Sequence, residues 1–255
     1  MAFYRHDGAH YQPSVLTRGP WHAEHQHGGP PSALLTGALQ HDAPSGMHLA
    51  RLTVTFLAPV PLAPLSCRVT RWEGGRTVRR GWAELLHDGR TVLRAEGLFV
   101  RHLDVGDPPG PLEVPPPETT TPWAFPFFPW TEGYHQAIDT RIVDGRWPAT
   151  PLTAWVRLRP DIVQGVPTTP QQRVVAIVDA QSGLGPPARV DDVTFVNPDL
   201  TVVFARVPQG DWLGLTVRGF VGDRGAGLAE AALFDTAGPL GRSVQTVVVA
   251  PRGSS

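Results

Sequence analysis

The stretches GWAELLHDGRTVLRAEGLFV (81–100) and GLAEAALFDTAGPLGRSVQTVVV (227–249) decide how this chain is built. Each reads as two apolar-rich strands around a turn of Gly and Asp, HDG in one and DTAG in the other. Ala83-Glu84 matches Ala229-Glu230 at an offset of 146, and beyond the unequal turns Glu96 falls opposite Gln245 at 149. Upstream, RLTVTFLAPVP (51–61) is answered by LTVVFARVP (200–208). In the first of these, Leu52, Val54 and Phe56 alternate with Arg51, Thr53 and Thr55, the period of a strand. Offsets held between 146 and 149 over several segments indicate an internal duplication.

Working outward, the halves are separated by DVGDPPGPLEVPPPETTTP (104–122), whose prolines remove backbone donors and favour extended chain. The expected organisation is an N-terminal unit at 1–103, a Pro-rich linker at 104–122 and a C-terminal unit at 123–250. The helix candidate in the first half is PPSALLTGALQHD (30–42), with two prolines where the first turn needs no intrahelical N–H bonds. Small residues around it, Gly28, Gly29, Ser32, Ala33, Gly37 and Ala38, permit close packing. One helix followed by an antiparallel meander implies a sheet curled around that helix. Two such units side by side give an α+β fold with two curled antiparallel sheets, each wrapped around a central helix.

Bulk properties exclude several functions. The chain has 255 residues and a net charge of −1, with no long basic run, so neither nucleic acid nor an anionic membrane surface is an expected partner. All 22 basic residues are Arg, which fits GC-rich coding and not a functional signal. No segment reaches the ~18 consecutive apolar residues of a membrane span, and MAFYRHDGAHYQPSVL lacks a signal-peptide core. With Cys67 the single cysteine, an intramolecular disulfide framework is excluded and a cytoplasmic protein is the simplest expectation.

Candidate chemistry centres on VDAQSGLG (178–185), where Asp179 follows the strand-like run Val174–Val178. An ionised Asp is rarely buried without a partner. One solution is a helix N-terminus, where free N–H groups and the dipole favour an anion; there Asp179 is either a cap or a functional carboxylate. The cluster WHAEHQHGG (21–29) carries His22, Glu24, His25 and His27, but irregular spacing and no second Cys/His group argue for a histidine-bearing loop, so no metal is expected. GLGPP (183–187) and GDRGAGLAE (222–230) lack the Lys and context of a phosphate loop and read as turns. The aromatics Trp123, Phe125, Phe127, Phe128, Trp130 and Tyr134 cover the junction of the two units and could also wall an apolar tunnel. Arg79 and Arg80 are candidates for meeting phosphates, or plain solvated strand residues.

Taken in order, HGGPPSALLTGAL, RLTVTFLAPVP, TAWVRLRP (153–160), NPDLTVVFARVPQGDWLGL (197–215) and the final Gln245 resemble the double-hotdog acyl-CoA thioesterases, the thioesterase-II-like proteins, from about Trp21 to Val249. The resemblance implies two hotdog units and hydrolysis of a fatty-acyl or related acyl thioester by water, with no cofactor. It also implies association into a homo-oligomer. The catalytic set it implies is an Asp at the start of the second unit's helix, a Thr or Ser on a following strand and a Gln on the last strand. These roles fall on Asp179, Asn197 and Gln245, with Asn197 departing from the hydroxyl residue. Asn still donates and accepts hydrogen bonds. Of the three, Asp179 alone can serve as a base near neutral pH, and backbone N–H groups of 180–183 are candidate oxyanion donors. Two alternatives stand beside hydrolysis: a non-catalytic acyl-binding protein, prompted by Asn197, and an enoyl thioester hydratase or dehydratase using His27.

Overall fold

The computed structural model describes residues 1–106, 110–188 and 192–251. Along the chain lie β1 (Ala2–His6), β2 (Tyr11–Pro13), α1 (Gly29–Asp42), β3 (Met47–Phe56), β4 (Ser66–Gly74), β5 (Val78–His87) and β6 (Arg90–Arg101). After the Pro-rich segment come β7 (Thr121–Trp123), β8 (Ile138–Asp144), β9 (Leu152–Leu158), β10 (Asp161–Val163), α2 (Pro170–Val178), α3 (Gln181–Leu184) and β11 (Val193–Val196). β12 (Asp199–Phe204), β13 (Trp212–Val221), β14 (Ala226–Asp235) and β15 (Gly238–Pro251) close the chain. The expected linker 104–122 runs into β7, and its residues 107–109 lie outside the described residues, as do 189–191 of the second half.

The duplicated strands, expected as two curled antiparallel sheets, join edge to edge in one open sheet. Its order is β4-β5-β6-β3-β12-β15-β14-β13-β9-β8-β7, with β11 paired to β15 off that path. The order β4-β5-β6-β3 is mirrored as β13-β14-β15-β12, and the halves meet where β3 pairs antiparallel with β12. In that register Thr53 faces Thr201, their hydroxyl oxygens 3.2 Å apart, and these residues are separated by 148 positions. An offset of 148 maps this pair onto itself and exchanges the pair Arg51/Val203 with Thr55/Asp199. The repeat is therefore expressed as a local pseudo-two-fold axis through Thr53 and Thr201. Pairing throughout this sheet is antiparallel. The exception lies outside it, in a three-stranded sheet where β1 runs parallel to β10, tying the N-terminus to the second half.

Both main helices sit on the buried face. α1 packs against β3, β4, β5 and β6, and α2 against β9 and α1 itself. α1 is buried nearly all round its first two turns, so Ala33, Leu34, Leu35 and Leu39 join one core with Leu52, Val54, Leu85, Leu93, Leu200 and Val202. The run Val174–Val178 is helix, not strand. Thr169 caps it through a reciprocal capping box with Gln172, and Pro170 occupies its first turn. The β-branched residues that suggest a strand are buried on every side of this helix, where tertiary packing overrides their weak local preference.

Candidate active site

Asp179 is the residue at which α2 stops, its backbone still helical (φ −61°, ψ −23°), and the four-residue α3 begins two positions later. It therefore stands at the C-terminal end of α2, not at the start of a helix as expected. The negative end of α2 disfavours a carboxylate there, so the charge must be met by other groups. Asn197, between β11 and β12, donates from Nδ2 to Asp179 Oδ1 over 2.9 Å. Gln245, on β15, donates from Nε2 to the same oxygen over 3.2 Å and to the Asp179 carbonyl over 3.2 Å. The three residues named from the sequence thus converge on one carboxylate. Gln245 is fully buried, against the ordinary expectation of an exposed strand residue.

The second carboxylate oxygen meets the first half of the chain. His27 Nδ1 is 3.1 Å from Asp179 Oδ2. The histidine ring lies flat on Tyr134, centroids 3.8 Å apart and planes 3° from parallel, and Tyr134 donates its hydroxyl to the Ala176 carbonyl over 2.7 Å. Burial pulls the His27 imidazole below its ordinary pKa, and Asp179 opposes that shift. Burial, with Asp179 adding to it, pushes the Tyr134 phenol well above its usual range, so Tyr134 is neutral.

The glycines after His27 make this contact possible. A Cβ on Gly29 would lie 2.2 Å from the Ala176 carbonyl oxygen. One on Gly28 would lie 2.5 Å from the Phe56 ring and 2.9 Å from Asp179 Oδ2. The start of α1 is thereby pressed against the end of α2, and its positive end stands beside the carboxylate. Of the candidate oxyanion donors, the Ala180 and Gly183 N–H groups are already bonded, to the Ile177 and Ala180 carbonyls.

Asp179, Asn197 and His27 open onto a cavity of about 420 Å³ lined from both halves of the chain. Phe125, Phe127 and Phe128 wall it with Trp21, Phe56 and Phe195. Trp21 stacks on Phe127 with centroids 6.3 Å apart, and Trp123 and Trp147 back the cluster from behind. His22 and His25 also line it, their rings stacked 4.3 Å apart. Arg79 and Arg80 are not brought to this site; they sit on β5, where Arg80 is 4.0 Å from Glu96. Among the described residues, no group of three or more His, Cys, Asp or Glu side chains is arranged to hold a metal ion, and no helix is long and apolar enough to cross a membrane.

Sequence reading left His27 out of the hydrolytic set and Tyr134 in the aromatic wall. The signal that could have placed His27 is the consecutive Gly28-Gly29, which marks a backbone that something must approach.

Comparison with known proteins gives two family matches. The model described as the acyl-CoA thioesterase N-terminal domain matches residues 17–100, and that of the acyl-CoA thioesterase C-terminal domain matches residues 111–249. No curated protein matches the chain. Among solved structures, a hotdog-fold protein from Alicyclobacillus acidocaldarius aligns with a TM-score of 0.72 at 19% identity, over 96% of this chain and 94% of that one. The TesB protein of Mycobacterium avium subsp. paratuberculosis aligns at 0.68 and 20%, over 95% and 94%. An acyl-CoA thioesterase II, TesB2, from Mycobacterium marinum aligns at 0.66 and 16%, over 94% and 97%. At these identities the likeness is one of fold, and the fold is the hotdog.

Proposed function

This chain belongs to the acyl-CoA thioesterase family, and from that membership we propose that it hydrolyses acyl-CoA by a water attack that depends on the Asp179 carboxylate. The observation that carries this is the clamp on Asp179. A carboxylate 4% exposed, beside an apolar cavity, has Oδ1 fixed by two amides from different elements. A charge this far from solvent is expensive to keep, and the two amides and His27 offset that cost at a place where a thioester can reach it. Asn197 and Gln245 orient the carboxylate; Asp179 supplies the negative charge that water activation needs. The aromatic wall takes the acyl chain, since apolar surface there gains by excluding water.

The same reading includes two hotdog units at 1–103 and 123–250, each half-sheet wrapped around its helix and joined by 104–122. It also includes a cytoplasmic location and the association of copies into a homo-oligomer.

The test is free-thiol release from a panel of acyl-CoA esters of graded chain length, with the matching carrier-protein thioesters alongside. Turnover of at least one acyl-CoA is expected. Binding without thiol release would return the chain to the class of acyl-binding proteins, and loss of enoyl absorbance without thiol release would return it to the hydratases.

A further inference from the structure

Both Asp179 carboxylate oxygens are engaged where the residue meets the cavity. Its Oδ1 holds two amide donors and its Oδ2 faces His27 Nδ1. Gln245 Oε1 is unpartnered but sealed from solvent, whereas the other end of the same imidazole is unpartnered at the cavity. Among the described residues no hydrogen bond engages His27 Nε2, and it is absent from the polar atoms that are both unpartnered and sealed from solvent. His27 lines the cavity with its side chain 12% exposed.

The tautomer follows from competition at Nδ1. Gly29 N–H approaches it at 3.2 Å and Asp179 Oδ2 at 3.1 Å. One nitrogen cannot donate and accept at once in the plane of its single lone pair. A hydrogen bond to a carboxylate is roughly twice as strong as one between neutral groups, so the proton sits on Nδ1 and points at Asp179. Nε2 then carries the lone pair, aimed into the cavity. Tyr134, flat against the ring and anchored to Ala176, prevents the imidazole from turning away.

We propose that His27 is the base of this thioesterase: Nε2 takes the proton from the attacking water while Asp179 holds Nδ1–H and stabilises the imidazolium. The step balances without a further reactant. The water oxygen forms a bond to the thioester carbonyl carbon, the carbonyl π pair moves to its oxygen, and the released proton goes to Nε2. When the carbonyl re-forms, the C–S bond breaks, sulfur keeps the pair, and Nε2 returns its proton to the thiolate. Acid and thiol leave, and His27 is neutral again. In this scheme Asp179 is a positioning and charge-stabilising residue. This deepens the hydrolytic reading and rests on it.

The groups facing the ring are Asp179 from the end of α2 and Tyr134, with His22 and His25 on the same cavity wall. Burial holds the imidazole below its ordinary value of 6.5, which keeps Nε2 unprotonated into mild acid.

The experiment is the pH–rate profile of wild type, His27→Gln and Asp179→Asn, with melting temperatures matched. Wild-type kcat/KM should fall on the acid side with a midpoint between the carboxylate range, about 4, and the unperturbed histidine value. His27→Gln, which can still donate to Asp179 but cannot take up a proton, should lower kcat about 10²-fold, leave KM within about threefold, and abolish that limb. A wild-type limb at the carboxylate value, or a His27→Gln variant that keeps its rate and the limb, overturns the proposal. The wild-type profile serves even if the variant does not fold. Loss of activity in Asp179→Asn with none in His27→Gln sinks this inference alone; no loss in either also sinks the dependence of hydrolysis on Asp179, and absence of thiol release from the wild type sinks the hydrolytic reading itself.

Discussion

Asn197 Nδ2 lies 2.9 Å from Asp179 Oδ1, on the oxygen that Gln245 also reaches. The departure from Thr or Ser at this position thus keeps a donor on the carboxylate, supplied by an amide long enough to span the gap. Asn197→Leu keeps the size and removes the donor. Hydrogen bonds to charged groups contribute about 1.5–3 kcal/mol, so kcat should fall roughly ten- to a hundredfold, with a smaller change in KM. Steady-state thiol release checks this. Asn197→Thr, with a shorter side chain, should recover only part of the rate.

Gly29 is needed for approach, not for backbone conformation. Gly29→Ala places a Cβ 2.2 Å from the Ala176 carbonyl oxygen, where backbone has to move. The expected cost is about 1–3 kcal/mol, visible in thermal or urea unfolding. Because the same shift pulls His27 from Asp179, activity should fall further than stability explains.

Stability in mild acid should be set by histidines. His27, His25, His48 and His135 are all held below their ordinary pKa by burial. For a depressed group the unfolded chain binds the proton first, so stability is full above the unfolded value near 6.5 and is lost as pH falls toward the folded value. Glu84 and Asp139, held low by Arg68 and Arg94 and by Arg159 and Arg157 against opposing burial, lose their contributions only in stronger acid. Unfolding free energy measured from pH 7.5 down to 5 should decline, and His27→Phe should reduce the slope. A flat curve would contradict this account.

Phe127 sits between Trp21, Phe125, Phe128 and Trp147 on the cavity wall. Phe127→Ala opens that wall without touching the carboxylate. KM for short acyl groups should rise roughly tenfold, the value of one or two lost methylene contacts, while longer or bulkier acyl groups lose less. An unchanged order of preference across the acyl-CoA panel would show that the chain lies elsewhere.

Much of this was legible in the sequence because the duplication repeats strand patterns at a near-constant offset, and strand period survives without knowledge of partners. That Asp179, Asn197 and Gln245 meet was legible only through the family resemblance. Two things were hidden. Val174–Val178 looks like a strand because β-branched residues prefer one, and only the Thr169–Gln172 capping box, outside the run, marks a helix. The His27–Asp179 contact joins residues 152 positions apart across the two halves. No local pattern encodes that approach; it depends on Gly28 and Gly29 letting one helix start touch another helix end.

The most direct test is kcat for thiol release by Asp179→Asn, on the best acyl-CoA, with Glu84→Gln as a control whose carboxylate pairs with Arg68 and Arg94 far from the cavity. The amide keeps the size of the side chain and removes its charge. A fall of at least about 10²-fold, with the melting temperature held and Glu84→Gln near the wild-type rate, is the predicted result. A rate for Asp179→Asn within threefold of wild type would contradict the dependence of hydrolysis on this carboxylate.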